Sequence, residues 1–223
     1  MELASYKAVI CEGAAEETII NILLDEHLLI FEREELIEES VLRCRSARAF
    51  ERRYLRKSFN SKISVIRVLD SRTELFNISK EYREKIDVIN IITAPEIEML
   101  IIHAENRYDD YKKSGKKPSI FCKEDLRMHD VKSAEFINSY FRDTNKLLLA
   151  IEKYNSKTRR RRGELNLSDI IKKWYEVIKK DLGLFTTLFG DRTPGENDDP
   201  SEVYGNMWKE HGFSIKLARL QIK

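Results

Sequence analysis

Glu12 and Gly13 follow directly on the apolar run Tyr6-Lys7-Ala8-Val9-Ile10-Cys11. In open parallel sheets, reactive groups collect at the carboxyl ends of strands, and a glycine there lets the backbone turn and come close to a ligand. Glu16 stands four residues after Glu12, near the start of an apolar-periodic stretch. Asp70 ends a second β-branched run, Ser64–Leu69, and Glu96 and Glu98 open the segment after a third, Asp87–Ile92. Carboxylates from three strand ends on one face of a sheet make a hard oxygen site of the kind Mg2+ or Mn2+ prefers. An ion held there polarises a scissile phosphate and lowers the pKa of an attacking water.

Each of these acids also has a plainer role. Asp70 suits a turn or a helix cap. Thr93 and Glu96 have the spacing of a capping box, with Thr93 capping and Glu96 reaching back. Glu16 and Glu17 suit the positive end of the helix they begin. Between Glu96 and Glu98 the choice of third ligand stays open.

Basic residues form two patches. From Arg43 to Lys57 the chain carries Arg43, Arg45, Arg48, Arg52, Arg53, Arg56 and Lys57 against one acid, Glu51, with Phe50, Tyr54 and Phe59 interleaved or flanking. That pattern suits phosphate contacts with some base stacking, or else a solvated helix face whose aromatics enter the core. Lys153 to Arg162 holds six basic residues and no acid, and includes Arg159, Arg160, Arg161 and Arg162 in succession. This run reads as a nucleic-acid-binding loop or as a solvated linker.

Positioning these groups requires an alternation of strands and helices. Strands are expected at 6–11, 28–31, 64–69 and 87–92, and helices at 16–26, in pieces over 33–59, at 74–84, 93–106 and 134–154. Residues 107–130 read as loop-rich, and Ser168 as the N-cap of a helix over 166–180. The fold class is α/β, a mostly parallel sheet covered by helices on both faces. A domain over 1–154, a basic connector over 155–164 and a helical C-terminal appendage over 165–223 complete the expected organisation.

Other chemistries find no support in the sequence. Hydrophobic residues are 42% of the chain, enough for a core despite 35% charged residues, and a net charge of +2 confines any nucleic-acid surface to local patches. Cys11, Cys44 and Cys122 are scattered, as expected in a reducing compartment, and no Cys/His spacing suits zinc. There is no GxxxxGK[ST] phosphate loop and no GxSxG elbow. Without a secretory leader or a spanning apolar run, the expected location is cytoplasmic, with no membrane partner.

Glu12-Gly13-Ala14-Ala15-Glu16 after a hydrophobic strand, then Val68-Leu69-Asp70-Ser71-Arg72, resembles the topoisomerase–primase (Toprim) metal-binding fold. Thr93-Ala94-Pro95-Glu96-Ile97-Glu98-Met99-Leu100 is similar to a segment of Toprim nucleases of the RloB-like and overcoming-lysogenization-defect (OLD) types. The resemblance covers roughly residues 6–150. It implies a Mg2+- or Mn2+-dependent nuclease acting on DNA or RNA, the effector of an ATPase-linked antiviral defence system, with an ATPase subunit as partner and a possible oligomer. It implies that Glu12 is the motif glutamate, Glu16 a supporting acid and Asp70 the first aspartate of an Asp-x-Asp pair. Arg72 takes the place of the second aspartate, where a phosphate contact is the expected role. The alternative to an enzyme is a non-catalytic Toprim-like module that docks a partner protein or nucleic acid.

Overall fold

The computed structural model describes residues 2–44, 46–55 and 61–172. Three strands, β1 (Tyr6–Cys11), β2 (Ile63–Leu69) and β3 (Ile86–Ile92), pair in parallel in the order β1-β2-β3, with Val9 opposite Ile66 and Ile66 opposite Ile89. Helices α1 (Ala14–Asp25), α2 (Ala47–Tyr54), α3 (Met99–Ala104), α4 (Tyr108–Ser114), α5 (Pro118–Glu124), α6 (Ala134–Tyr140) and α7 (Thr144–Lys157) flank the sheet. The protein is thus α/β, with a small parallel sheet.

The central strand sets the layers. Every residue of β2 is buried, as expected of a parallel strand covered on both faces. Ala8, Ile10, Ile63, Val65 and Ile86 join Phe50 and Tyr54 of α2 and Phe76 and Ile78 of the following loop in one apolar cluster. Elsewhere α1 packs on β1 and α6, and α3 packs on α7. The cover expected on both faces thins at β3, where Asp87, Val88 and Asn90 are exposed.

Several expected elements take another form. Residues 28–31 are not a strand; Leu29 makes an isolated antiparallel bridge to Ile171, and the Ile30 N–H donates to the Ile170 carbonyl. No helix spans 74–84. Phe76 and Ile78 are buried while Leu75 is 80% exposed, the period-two pattern of extended chain. The helix expected from Thr93 begins at Met99, because the Thr93 N–H and hydroxyl both donate to the Leu69 carbonyl and tie the start of the segment to the sheet. The loop-rich 107–130 contains α4 and α5. The helix expected over 134–154 is two, α6 and α7, the second capped by Asp143.

The expected connector, 155–164, and the residues up to Ile171 belong to the same compact unit as the sheet. Leu165 lies parallel to Ile91 as an isolated bridge and its carbonyl accepts the Ile92 N–H, so this segment lines the outer edge of β3. Leu167 and Ile170 are 1% and 0% exposed. A one-turn 3-10 helix, Leu167–Asp169, capped by Asn166, stands where Ser168 was the expected cap. The first compact unit therefore runs from Met1 to Ile171, past the expected boundary at 154. The greater part of the expected helical appendage, from 173 onward, lies outside the described residues. No helix among the described residues is long and apolar enough to cross a membrane.

Leu167→Ala measures this seam. A solvated residue would tolerate the change, whereas a side chain 1% exposed should lose about 2–4 kcal/mol of unfolding free energy in a urea titration.

Candidate functional site

Glu12 leaves the end of β1, Asp70 the end of β2, and Glu96 and Glu98 the loop after β3. The parallel register brings all four to the same end of the sheet. They form two groups there. In the first, Glu12 shares a hydrogen bond with Glu74 and feels the charges of Glu74 and Asp70. Burial, then that shared bond and those charges, raise the Glu12 carboxyl to about 7, against a smaller opposing pull from Arg67. Such a carboxyl holds its proton well into the neutral range chiefly because burial penalises its charged form, with the neighbouring carboxylates adding to the rise.

Arg67 is the fixed cation of this group. It is 2% exposed in the middle of β2, and its Nη2 donates to Glu74 Oε2 at 3.0 Å. Its guanidinium stacks 4.7 Å from the Phe76 ring centroid, while Nε and Nη1 find no hydrogen-bond partner. The extended chain after Asp70 makes this possible, since buried Phe76 and Ile78 pull the loop back over the sheet and carry Glu74 to Glu12.

The second group gathers around Lys132. Its Nζ stands 3.4 Å from Glu98 Oε1 and 3.8 Å from Glu96 Oε1. Glu98 is 1% exposed, and burial raises its carboxyl, with Lys132 pulling the other way and Glu96 adding to the rise. Glu96 does not close a capping box with Thr93; its Oε2 accepts the Ser119 N–H at 3.0 Å. Burial tends to lower the Lys132 ammonium, but Glu98, Glu96 and Glu16 outweigh it and raise it.

Glu16 links the two groups. Burial raises its carboxyl, as does Asp70, while backbone N–H groups at Gly13 and Glu16, together with Lys132, oppose the rise. Gly13 serves this link in an ordinary extended conformation, φ −120°. A Cβ there would come within 2.5 Å of Glu16 Oε2, so the glycine makes room for the carboxylate.

Among the described residues, no three His, Cys, Asp or Glu side chains already stand together as a metal-binding group. Glu12, Asp70 and Glu74 are all oxygen donors, the chemistry a hard divalent cation prefers. Glu96 and Glu98, expected to complete that shell, instead face Lys132.

The expected nucleic-acid contacts divide as well. Arg43 follows Leu42, whose carbonyl accepts the Cys11 N–H, so it sits beside the β1 end and pairs with Glu17. Arg48 and Arg52 are exposed on α2, whose Ala47, Phe50 and Tyr54 enter the core. Arg45 lies outside the described residues. Arg72 does not face the acids: Nε and Nη2 donate to Glu164 at 2.8 and 3.0 Å, a bidentate pair that takes up the fork reserved for a phosphate. Arg160 is likewise internal, bound to Asp169, Ser168 and Asn155, whereas Arg159, Arg161 and Arg162 are exposed.

Sequence reasoning missed Glu74, Arg67 and Lys132. Arg67 carried a signal, since a guanidinium inside an apolar strand needs a buried partner. The alternation of Phe76 and Ile78 pointed to extended chain rather than helix. Lys132 carried none. Cys11 is 1% exposed and burial raises its thiol, which suits a core residue. Burial, then Lys153 and Lys157, lower His103 to about 4, leaving it neutral near pH 7.

Comparison with protein-family models, with curated proteins and with solved structures gives no match.

The raised Glu12 carboxyl makes a stability prediction of definite sign. A carboxyl whose folded pKa lies above its unfolded value contributes most at low pH, and the contribution is lost as pH rises from about 4.5 through about 7. Glu12→Gln should therefore leave the melting temperature unchanged near pH 4. It should raise stability by about 1 kcal/mol near pH 8, after allowing for water screening at this part-exposed site.

Proposed function

We propose that this protein is a Toprim-like, divalent-metal-dependent nuclease that hydrolyses phosphodiester bonds in DNA or RNA. The observation that supports the reading is that Glu12 and Asp70 follow the ends of adjacent parallel strands, with Glu74 beside Glu12 and the Glu12 carboxyl raised to about 7. Mg2+ or Mn2+ held there by these three carboxylates would supply Lewis acidity toward a phosphate oxygen and a bound water. The chain's own residues do the rest. Arg67 holds Glu74 against Glu12, and Glu12, poised between its protonated and ionised forms near neutral pH, is suited to move a proton. Arg43 at the β1 end, Arg48 and Arg52 on α2, and Arg159, Arg161 and Arg162 offer guanidinium groups to a sugar–phosphate backbone. The resemblance to RloB-like and OLD-type nucleases extends this to a role as effector of an ATPase-coupled antiviral system, with an ATPase subunit as partner.

A second reading is a non-catalytic Toprim-like module that docks a partner protein or nucleic acid. The Arg72–Glu164 pair favours it, because the position of the family's second aspartate is spent on internal structure.

Cleavage of labelled single- and double-stranded DNA and RNA with Mg2+ or Mn2+ separates the two. Glu12→Gln should keep nucleic-acid binding and lose cleavage by at least about a hundredfold, the scale of a general acid–base contribution. Cleavage at the wild-type rate would sink the nuclease reading. Changing Arg159, Arg161 and Arg162 to Gln should flatten the log–log salt dependence of binding by about 0.7–0.9 per lost phosphate contact. Arg160→Gln should instead lower thermal stability, and an unchanged slope in the triple variant would return the run to a solvated surface.

A further inference from the structure

We propose that the protein holds a sugar–phosphate backbone along one face, built by α4, the last turns of α7 and the 158–162 segment. The inference rests on the nucleic-acid part of the reading above, assigns it a surface, and needs no bound metal.

Tyr108 is the centre of this face. Its ring stacks on His103 with centroids 4.8 Å apart, and its hydroxyl donates to the Lys157 carbonyl at 3.4 Å, which joins the start of α4 to the end of α7. Three lysines stand around it. Lys112 Nζ is 6.0 Å from the Tyr108 ring centroid. Lys153 Nζ donates to Asn106 Oδ1 at 2.6 Å, and Lys157 follows one turn later on the same side of α7. Both of these act on His103 through their charge. The chain then continues into Arg159–Arg162. Arg160 turns inward to Asn155, Ser168 and Asp169, while Arg159, Arg161 and Arg162 are exposed.

The charge of this face is not met from within the chain. Among the described residues, Lys112, Lys153, Lys157, Arg159, Arg161 and Arg162 form no salt bridge, and nearby acids are engaged elsewhere: Asp110 with Arg107, Asp169 with Arg160 and Glu164 with Arg72. Asp109 and Glu152 remain against those cations. Like charges at this density repel one another, and a polyanion relieves the repulsion while releasing its own counterions. The α2 patch differs, because Arg43 pairs with Glu17 and the aromatics Phe50 and Tyr54 belong to the core.

Both ends of the face border the loops after the strands. Tyr111, its ring centroid 6.5 Å from that of Tyr108, feels the charge of Glu96 in the loop after β3. At the other end the Glu164 N–H donates to the Arg161 carbonyl at 3.0 Å, and Glu164 holds Arg72 from the loop after β2. A strand laid on this face runs beside the carboxyl end of the sheet.

Fluorescence anisotropy of the full chain with labelled single- and double-stranded DNA and RNA, in EDTA and over a range of salt, tests the assignment. Wild type should bind at least one of these probes, more weakly as salt rises. Lys112→Gln, Lys153→Gln and Lys157→Gln together should weaken binding at least about tenfold and flatten the log–log salt slope by about 2–3, from about 0.7–0.9 for each lost phosphate contact. Changing Lys80, Arg83 and Lys85 to Gln removes as much charge from the exposed approach to β3 and should leave affinity and slope unchanged. An unchanged slope in the first variant, or an equal loss in the second, overturns this inference and leaves the proposed activity standing. No binding to any probe overturns it together with the nucleic-acid reading, whereas localised binding in EDTA without cleavage in Mg2+ supports it and removes the nuclease. Should the first variant lose its cooperative thermal transition, Lys112→Gln with Lys157→Gln, both exposed, repeats the test with an expected slope change of about 1.4–1.8.

Discussion

Carboxylates crowded at one end of a parallel sheet repel each other, and the arrangement of this site follows from how that repulsion is met. Three strand ends deliver Glu12, Asp70 and the Glu96–Glu98 loop to one edge, and the loop after β2 adds Glu74. Against them the chain sets Arg67 from inside the sheet and Lys132 from the approach to α6. At Glu12, burial and the neighbouring Glu74 and Asp70 hold a proton up to about pH 7.

The cations differ in kind, and the difference suits their places. Arg67 is 2% exposed and spreads its planar guanidinium on Phe76 while binding Glu74. Lys132 is a point charge on a long stem, with a side chain 59% exposed, and reaches in from solvent to acids of two separate segments. Arg72 belongs to a different task. Its fork on Glu164, with the Tyr154 hydroxyl donating to the Ala94 carbonyl at 2.6 Å, ties α7 and the 158–171 segment to the loops after β2 and β3.

Much of the framework was legible in the sequence. The strands at 6–11, 63–69 and 86–92 stand within a residue of the β-branched runs that announced them, because a buried parallel strand needs a continuous apolar stretch whatever surrounds it. The helix after Glu12-Gly13 was equally plain. Misreadings fell where local pattern and long-range contact conflict. A polar stretch at 74–84 resembles a helix until Phe76 and Ile78 are known to reach α2, and 155–164 resembles a linker until Glu164 is seen to pair with Arg72. Four arginines in a row look equivalent, yet only Arg160 meets Asp169 and Asn155.

By itself the sequence determined that the chain is α/β, that its strands run into acids, and that Glu12, Asp70, Glu96 and Glu98 lie at strand ends. These follow from periodicity and from the residue that breaks each run, both local properties. Which acids meet was decided only by tertiary structure. Glu74 reaches Glu12 because a loop folds back over an apolar cluster, and Lys132 reaches Glu98 from 34 positions later in the chain. Arg72 leaves the site for a glutamate 92 residues away. Charge pairing at such separations depends on where packing places the backbone, and spacing along the chain does not encode it.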